Sequence, residues 1–208
     1  GWRISGQKIW TSRAQIASYA ILLARTGGFY VPTLVSGGFE SYFVTTTSPH
    51  DDEKLRRFTP HIFLDREVRG HNQWLMPHEI PTWRSEILRD LVRAGGKVGM
   101  GSHGQVQGLG SHWEVWAMAS GGLTPFEALR SATLTGAEAM GMQDDLGSLE
   151  PGKLADLMVL DRNPLVDLRN TNSISYVMKA GVMWEGDTMD EVWPNKRKLN
   201  ISFNQPPL

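Results

Sequence analysis

No cysteine occurs among the 208 residues, which removes disulfide staples, zinc–thiolate sites and thiol catalysis together. Any metal held by this chain must therefore be bound through His, Asp or Glu. An excess of charge of either sign is missing too: 21 basic and 22 acidic residues leave a formal net charge of −1. Apart from Lys196-Arg197-Lys198 the cations are scattered, so there is no electrostatic footprint for nucleic acid or for an anionic membrane. No apolar run approaches the ~20 residues of a membrane span, and the opening Gly-Trp-Arg-Ile-Ser-Gly does not read as a signal peptide, which makes a cytoplasmic location the default expectation. Internal repeats are lacking as well. What remains is an ordinary globular composition, long enough to bury a real core as one domain or two small ones.

Residues 2–12 alternate apolar and polar positions around Ser5-Gly6 and read as a β-hairpin, and residues 18–25 read as a buried strand. After the break at Gly27-Gly28, residues 29–35 form a short apolar strand. Residues 36–82 are rich in Thr, Pro, His and charge without clear periodicity, and are expected to be a functional loop or partly disordered. Pro81-Thr82 starts a helix with Ile87, Leu88, Leu91 and Val92 on one face, and Gly95-Gly96 stops it. Residues 97–102 follow as a strand, so that strand, helix and strand make a right-handed βαβ unit with parallel strands. Residues 112–120 read as a helix stopped by Gly121-Gly122. Thr124-Pro-Phe-Glu127 is a capping box opening a helix to about Ala132, and a short helix covers residues 136–140. Strands are expected at 156–160, 174–179 and 182–185, the last two joined at Ala180-Gly181, with a loose tail from Asn195.

Residues 146–164, LGSLEPGKLADLMVLDRNP, resemble the C-terminal signature of the metal-dependent amidohydrolase superfamily, where the chain leaves a (β/α)8 barrel and enters a small β-sandwich. Its physical content is a turn at Pro151-Gly152 that feeds a buried strand. TPFEALRSATLTGAEAMG, residues 124–141, is similar to the last barrel helices of that family, residues 30–34 to its seventh strand and residues 97–104 to its eighth. The likeness covers residues 29 to about 194 and is greatest to the branch found beside TolB-like propeller domains. Residues 1–27 instead resemble the middle β-domain of acyl-CoA dehydrogenases, through Gly6-Gln-Lys-Ile-Trp-Thr-Ser12. The expected fold class is therefore α/β: a partial (β/α)8 amidohydrolase barrel of last strands and helices over residues 28–145, part of a C-terminal β-sandwich over 146–194, a tail over 195–208, and a preceding β-hairpin in the dehydrogenase-like segment 1–27.

The amidohydrolase resemblance implies a small-molecule substrate and hydrolysis of non-peptide carbon–nitrogen bonds at a divalent metal, zinc above all. It places His103 at the C-terminal end of the eighth strand, where catalytic groups of such barrels sit. The family usually carries Asp there in a Gly-Thr-Asp context, so Gly101-Ser102-His103 departs from the pattern, although an imidazole binds Zn²⁺ or acts as a base near neutral pH. A His-x-His is absent, the six histidines standing at 50, 61, 71, 78, 103 and 112, and the first six strands have no counterpart in a fold of about 250 residues. A hydrolytic site needs about three protein ligands. His103 is thus the single inherited candidate, both catalytic and metal-ligating, and the chain alone is expected to hold no zinc and to be inactive. His61, His71 and His78 near His103 and His112, with Asp51, Asp52, Glu79 and Glu114 as oxygen donors, are the residues from which a substitute site would be assembled, solvated loop positions being the plainer expectation. Glu114 is expected at a helix start. Gln105, Gln107 and His112 are candidate pocket residues. The dehydrogenase-like segment would make Trp10 a wall beside a flavin ring with Thr11 and Ser12 as its hydrogen-bond partners, so FAD is the cofactor of an alternative reading as a flavin-dependent acyl-CoA dehydrogenase. A second alternative is a non-catalytic module whose partner supplies the missing strands. Without six neighbouring strands, Val31, Leu34, Val98 and Met100 are expected to leave an open barrel edge, so that the chain self-associates or exposes enough apolar surface to bind a hydrophobic dye.

Overall fold

The computed structural model describes residues 27–70, 80–103, 106–200 and 203. The expected N-terminal hairpin, the strand at 18–25 and the flavin-facing Trp10, Thr11 and Ser12 lie outside the described residues, as do His71, His78, Glu79 and Gln105.

Strand β1 (Phe29–Tyr30) lies parallel to β2 (Lys97–Val98), with Phe29 opposite Lys97 and Tyr30 opposite Val98. Both are shorter than their apolar runs suggest. Pro32 has no N–H to give a ladder, and the chain bends into a 3-10 turn at Val35–Gly37. One further ladder bond forms, from the Gly99 N–H to the Tyr30 carbonyl at 2.9 Å.

Between these strands, the described residues from 39 to 70 are helical where a loop was expected. They fold as α1 (Phe39–Thr47), a 3-10 turn at Pro49–Asp51, α2 (Glu53–Phe58) and α3 (His61–Gly70), and the expected helix α4 (Thr82–Arg93) precedes β2. Threonines weigh against helix on propensity alone. In α1 the hydroxyls of Thr45, Thr46 and Thr47 donate back to the carbonyls of Ser41, Tyr42 and Phe43, one turn earlier, at 2.6–2.8 Å. Phe39, Phe43 and Val44 meanwhile drop into the core, and their burial outweighs the propensity. Asp52 caps α2 by accepting from the Leu55 N–H at 2.9 Å.

Helix α4 begins and ends where its signals place it, with Leu88 and Leu91 buried. It packs on α5 (Leu109–Ser120), which starts three residues earlier than expected. The Ser85 hydroxyl donates to the Ala117 carbonyl at 2.6 Å, and Gly121 lies so close to the Ser85 backbone that any side chain there would collide with it. The expected capping box opens α6 (Pro125–Ala132): Thr124 Oγ1 accepts from the Glu127 N–H at 3.2 Å, and the Glu127 carboxylate accepts from the Thr124 N–H at 2.8 Å. Helix α7 (Leu134–Met140) follows. The core gathers Leu34, Phe39, Phe43, Leu88, Val98 and Trp113, with Phe43 stacked on Trp113 at 5.8 Å between ring centres. Leu34 and Val98, expected at an open edge, are therefore buried beneath helices, while Val31 stays half exposed.

Strands β3 (Leu157–Leu160), β4 (Ile174–Lys179), β5 (Val182–Glu185) and β6 (Glu191–Trp193) make an antiparallel sheet in chain order. Ala180 and Gly181 carry φ of 49° and 80°, the pair of positive values that a two-residue type I′ hairpin turn needs. Strand β6 was not expected, and the first part of the expected loose tail is tied back: Glu191 and Arg197 exchange backbone hydrogen bonds at 2.9 and 3.0 Å. Strand β3, expected to be buried, exposes Met158 and Val159. No second layer of a sandwich is formed among the described residues. Polar tethers join the C-terminal part to the helices. Lys54 of α2 donates to the Ile174 carbonyl at 2.9 Å and pairs with Asp187 at 2.8 Å, and the Trp116 indole of α5 donates to the Leu168 carbonyl at 3.0 Å.

Candidate active site

Because β1 and β2 are parallel, the segments that follow them leave at the same end and form one rim, residues 31–37 beside residues 99–103. Gly101 sits against the Pro32 carbonyl oxygen so tightly that a Cβ there would strike it. Glu114 fastens this rim from beneath, its carboxylate accepting from the Leu34 N–H at 2.7 Å and from the Val35 N–H at 2.9 Å. The side chain is 0% exposed. Burial pushes its carboxyl from an ordinary 4.5 up to about 7, against the two backbone hydrogen bonds, which favour the charged form. The Tyr30 phenol is raised as well, by burial first, with Arg84 pulling it down and Glu114 pushing it up.

Glu114 is therefore not the helix-start residue that the sequence suggested. Helix α5 begins at Leu109, so Glu114 lies in its middle and points inward. A signal was available in HWEVWAMAS: a helix apolar on every side is a buried one, and a carboxylate inside it must find donors.

His103 stands on the rim beyond β2 with its side chain exposed. Gln107 and His112 line an open cleft of about 350 Å³ between α2 and the sheet, together with Asp52, Lys54, Phe58 and Ile174. His112 Nδ1 lies 3.1 Å from Thr171 Oγ1, and burial lowers its pKa below the usual 6.5, which favours the neutral ring.

His61 does not join His103 or His112. Its Nδ1 is 3.2 Å from Asp65 Oδ2, and His50 Nε2 is 2.8 Å from Asp65 Oδ1. The hydrogen bond from His50 is the largest cause holding the Asp65 carboxyl below its usual range, with His61 and Arg69 acting in the same direction. Among the described residues no other three His, Asp or Glu side chains bring ligand atoms together, and His103 has no place in this group. Among the described residues, the donors at the end of β2 do not make up a metal site of three protein ligands. Asp52, one of the proposed oxygen donors, is engaged as the cap of α2.

The sequence pattern of the amidohydrolase family matches residues 61–184, from the start of α3 into β5. The chain belongs to the amidohydrolase family. Guanine deaminase of Escherichia coli (strain K12) is 38% identical to this chain over 96 residues, which are 42% of this chain and 22% of that protein. Ochratoxinase of Aspergillus niger is 30% identical over 131 residues, 60% of this chain and 27% of that protein. The crystal structure of a Xaa-Pro dipeptidase with methionine bound in the active site matches at a TM-score of 0.55 and 28% identity, over 81% of this chain and 37% of that one. The chain thus spans about a quarter of the length of these curated relatives. Amidohydrolases are generally metal-dependent and act on small molecules. None of these three relatives supports the flavin-dependent dehydrogenase reading.

Proposed function

We propose that this chain forms the last barrel strands, the rim and the flanking sheet of an amidohydrolase that hydrolyses carbon–nitrogen bonds of small molecules. In this reading residues 28–145 are barrel and 146–194 belong to the β-sandwich. His103 is the side chain that meets the substrate, and Gln105, Gln107 and His112 are pocket wall. The observation that carries it is the rim: two parallel strands end side by side, clasped beneath by Glu114, with His103 open to solvent above. Folds of alternating strands and helices place their reacting groups at the carboxyl ends of parallel strands. An exposed imidazole there exchanges a proton with an attacking water or a leaving nitrogen near neutral pH. Glu114 accepts hydrogen bonds from the backbone of Leu34 and Val35 and is a positioning residue that holds them in place. No step is assigned to a metal, because the described donors around His103 do not make a metal site, and the 208-residue chain is expected to be inactive alone. Guanine deaminase keeps to the non-peptide carbon–nitrogen bonds first expected, and the similar Xaa-Pro dipeptidase structure extends the candidate substrates to a peptide bond.

The test is a hydrolysis assay on guanine, Xaa-Pro dipeptides and ochratoxin, run on the 208-residue chain and on the open reading frame with any sequence encoded upstream of Gly1. Turnover by the longer product, reduced about 10²-fold or more in His103→Ala with an unchanged melt, is the expected result. Full turnover in His103→Ala would remove His103 from the reaction. A longer product that hydrolyses nothing and carries flavin absorption would sink the hydrolase reading.

A further inference from the structure

His50, His61 and Asp65 come from one short stretch of chain. His61 and Asp65 are four residues apart on α3 and so share a face. His50 is delivered to that face by the 3-10 turn Pro49–Asp51, whose Pro49 is buried and whose end runs into the capped start of α2. The two imidazoles meet edge to face, 5.5 Å between ring centres. One ligand atom from each of the three side chains lies within 4.8 Å of the other two.

We infer that His50, His61 and Asp65 form a binding site for a divalent transition-metal ion of the Zn²⁺ type, open to water on one side. Two imidazoles and a carboxylate suit Zn²⁺, Co²⁺, Ni²⁺ or Cu²⁺, whereas Mg²⁺ and Ca²⁺ call for oxygen on nearly every position. With metal–ligand bonds of about 2.0–2.2 Å, the edges of a tetrahedral site are roughly 3.4 Å long. The nitrogen–oxygen contacts already stand at 2.8 and 3.2 Å, so small side-chain rotations bring all three groups onto one ion. Without the ion, an ionised Asp65 only accepts, so each ring directs an N–H at it. On binding, each imidazole carries its hydrogen on the other nitrogen and gives the freed lone pair to the metal, with no change in net proton count for neutral rings. His61 is 64% exposed, which leaves the fourth position to water. The competitor is Arg69, whose Nη2 is 3.7 Å from Asp65 Oδ2, a distant hold beside the two imidazole contacts. The bound ion pins the turn at residues 49–51 to α3. The site is separate from His103 and does not depend on the hydrolase reading.

Titration of the metal-stripped chain with Co²⁺, followed by visible absorption, and with Zn²⁺ by calorimetry tests this directly. One equivalent is expected, with ligand-field bands of a tetrahedral Co²⁺ ion. Affinity should fall about 100-fold or more in His50→Ala, His61→Ala and Asp65→Asn, and stay at the wild-type value in His103→Ala and His112→Ala. Because His61 is exposed, its variant serves as the one that keeps the fold, verified by an unchanged metal-free melt. Absence of a stoichiometric ion overturns the site. So does an ion held equally well by all three variants, or one lost only in His71→Ala or His78→Ala.

Discussion

The helices around Trp113 and the sheet beyond residue 156 are held together by opposite means. Trp113 is 0% exposed, stacked on Phe43 among the side chains of α1, α4 and α5. No strand residue of the four-stranded sheet is fully buried, and Met158 stands 54% exposed. The helices therefore derive their stability from burial of apolar surface, the sheet from its backbone ladder, its tight hairpin and the tethers at Lys54 and Trp116. Apolar residues on a strand do not by themselves make a core. Something must be packed against them.

The sharpest way to break that contrast is a pair of truncations. Trp113→Ala should cost about 3–5 kcal/mol in urea unfolding, and Met158→Ala under about 0.5 kcal/mol. Similar losses would mean that sheet and helices share one core after all. A smaller effect separates polar from apolar support within the helical part. In Glu114→Gln the amide oxygen accepts from one backbone N–H while its NH₂ faces the other, leaving a buried donor unpaired at about 1–3 kcal/mol. The same residue gives a pH signature. Its folded pKa of about 7 lies above the ordinary 4.5, so between these values the folded chain holds a proton that the unfolded chain has released. The stabilisation is complete below 4.5 and is lost as pH rises through about 7. The urea midpoint of the wild type should fall between pH 5 and pH 8 while that of Glu114→Gln moves less; equal slopes would remove Glu114 as the cause. The least effect on stability belongs to the sheet surface: replacing Met158 and Val159 by Ser should lower the fluorescence of a bound apolar dye without shifting the melt. Undiminished dye signal would place the sticky surface elsewhere.

Local punctuation was legible in the sequence. Gly95-Gly96, the Thr124–Glu127 box and the Ala180-Gly181 turn each act within a few residues and needed no tertiary context. The helices between residues 39 and 70 were hidden, because FESYFVTTT carries residues of poor helix propensity and becomes helical once Phe39 and Phe43 have a core to enter. At the site, the place of His103 after a strand could be read from the glycine-lined run that bears it. The role of Glu114 could not, since its partners are backbone N–H groups far away in the chain, which no side-chain pattern announces. His61 and Asp65 show their helical spacing, but the part of His50 depends on how the turn at Pro49 folds back onto α3.

The Glu114 clasp also makes the rim a matter of long-range contact. The N–H groups of Leu34 and Val35 find their acceptor 80 and 79 residues later in the chain, so during synthesis water is their partner until α5 has emerged. Closing a loop of that length costs roughly 4 kcal/mol in chain entropy, about as much as two hydrogen bonds to a carboxylate return. The Phe43–Trp113 stack closes nearly the same loop and buries apolar surface as it does so. Packing of α1 onto α5 brings the carboxylate within reach of its donors, so the shape of the rim that bears His103 depends on a helix contact made on the far side of the loop.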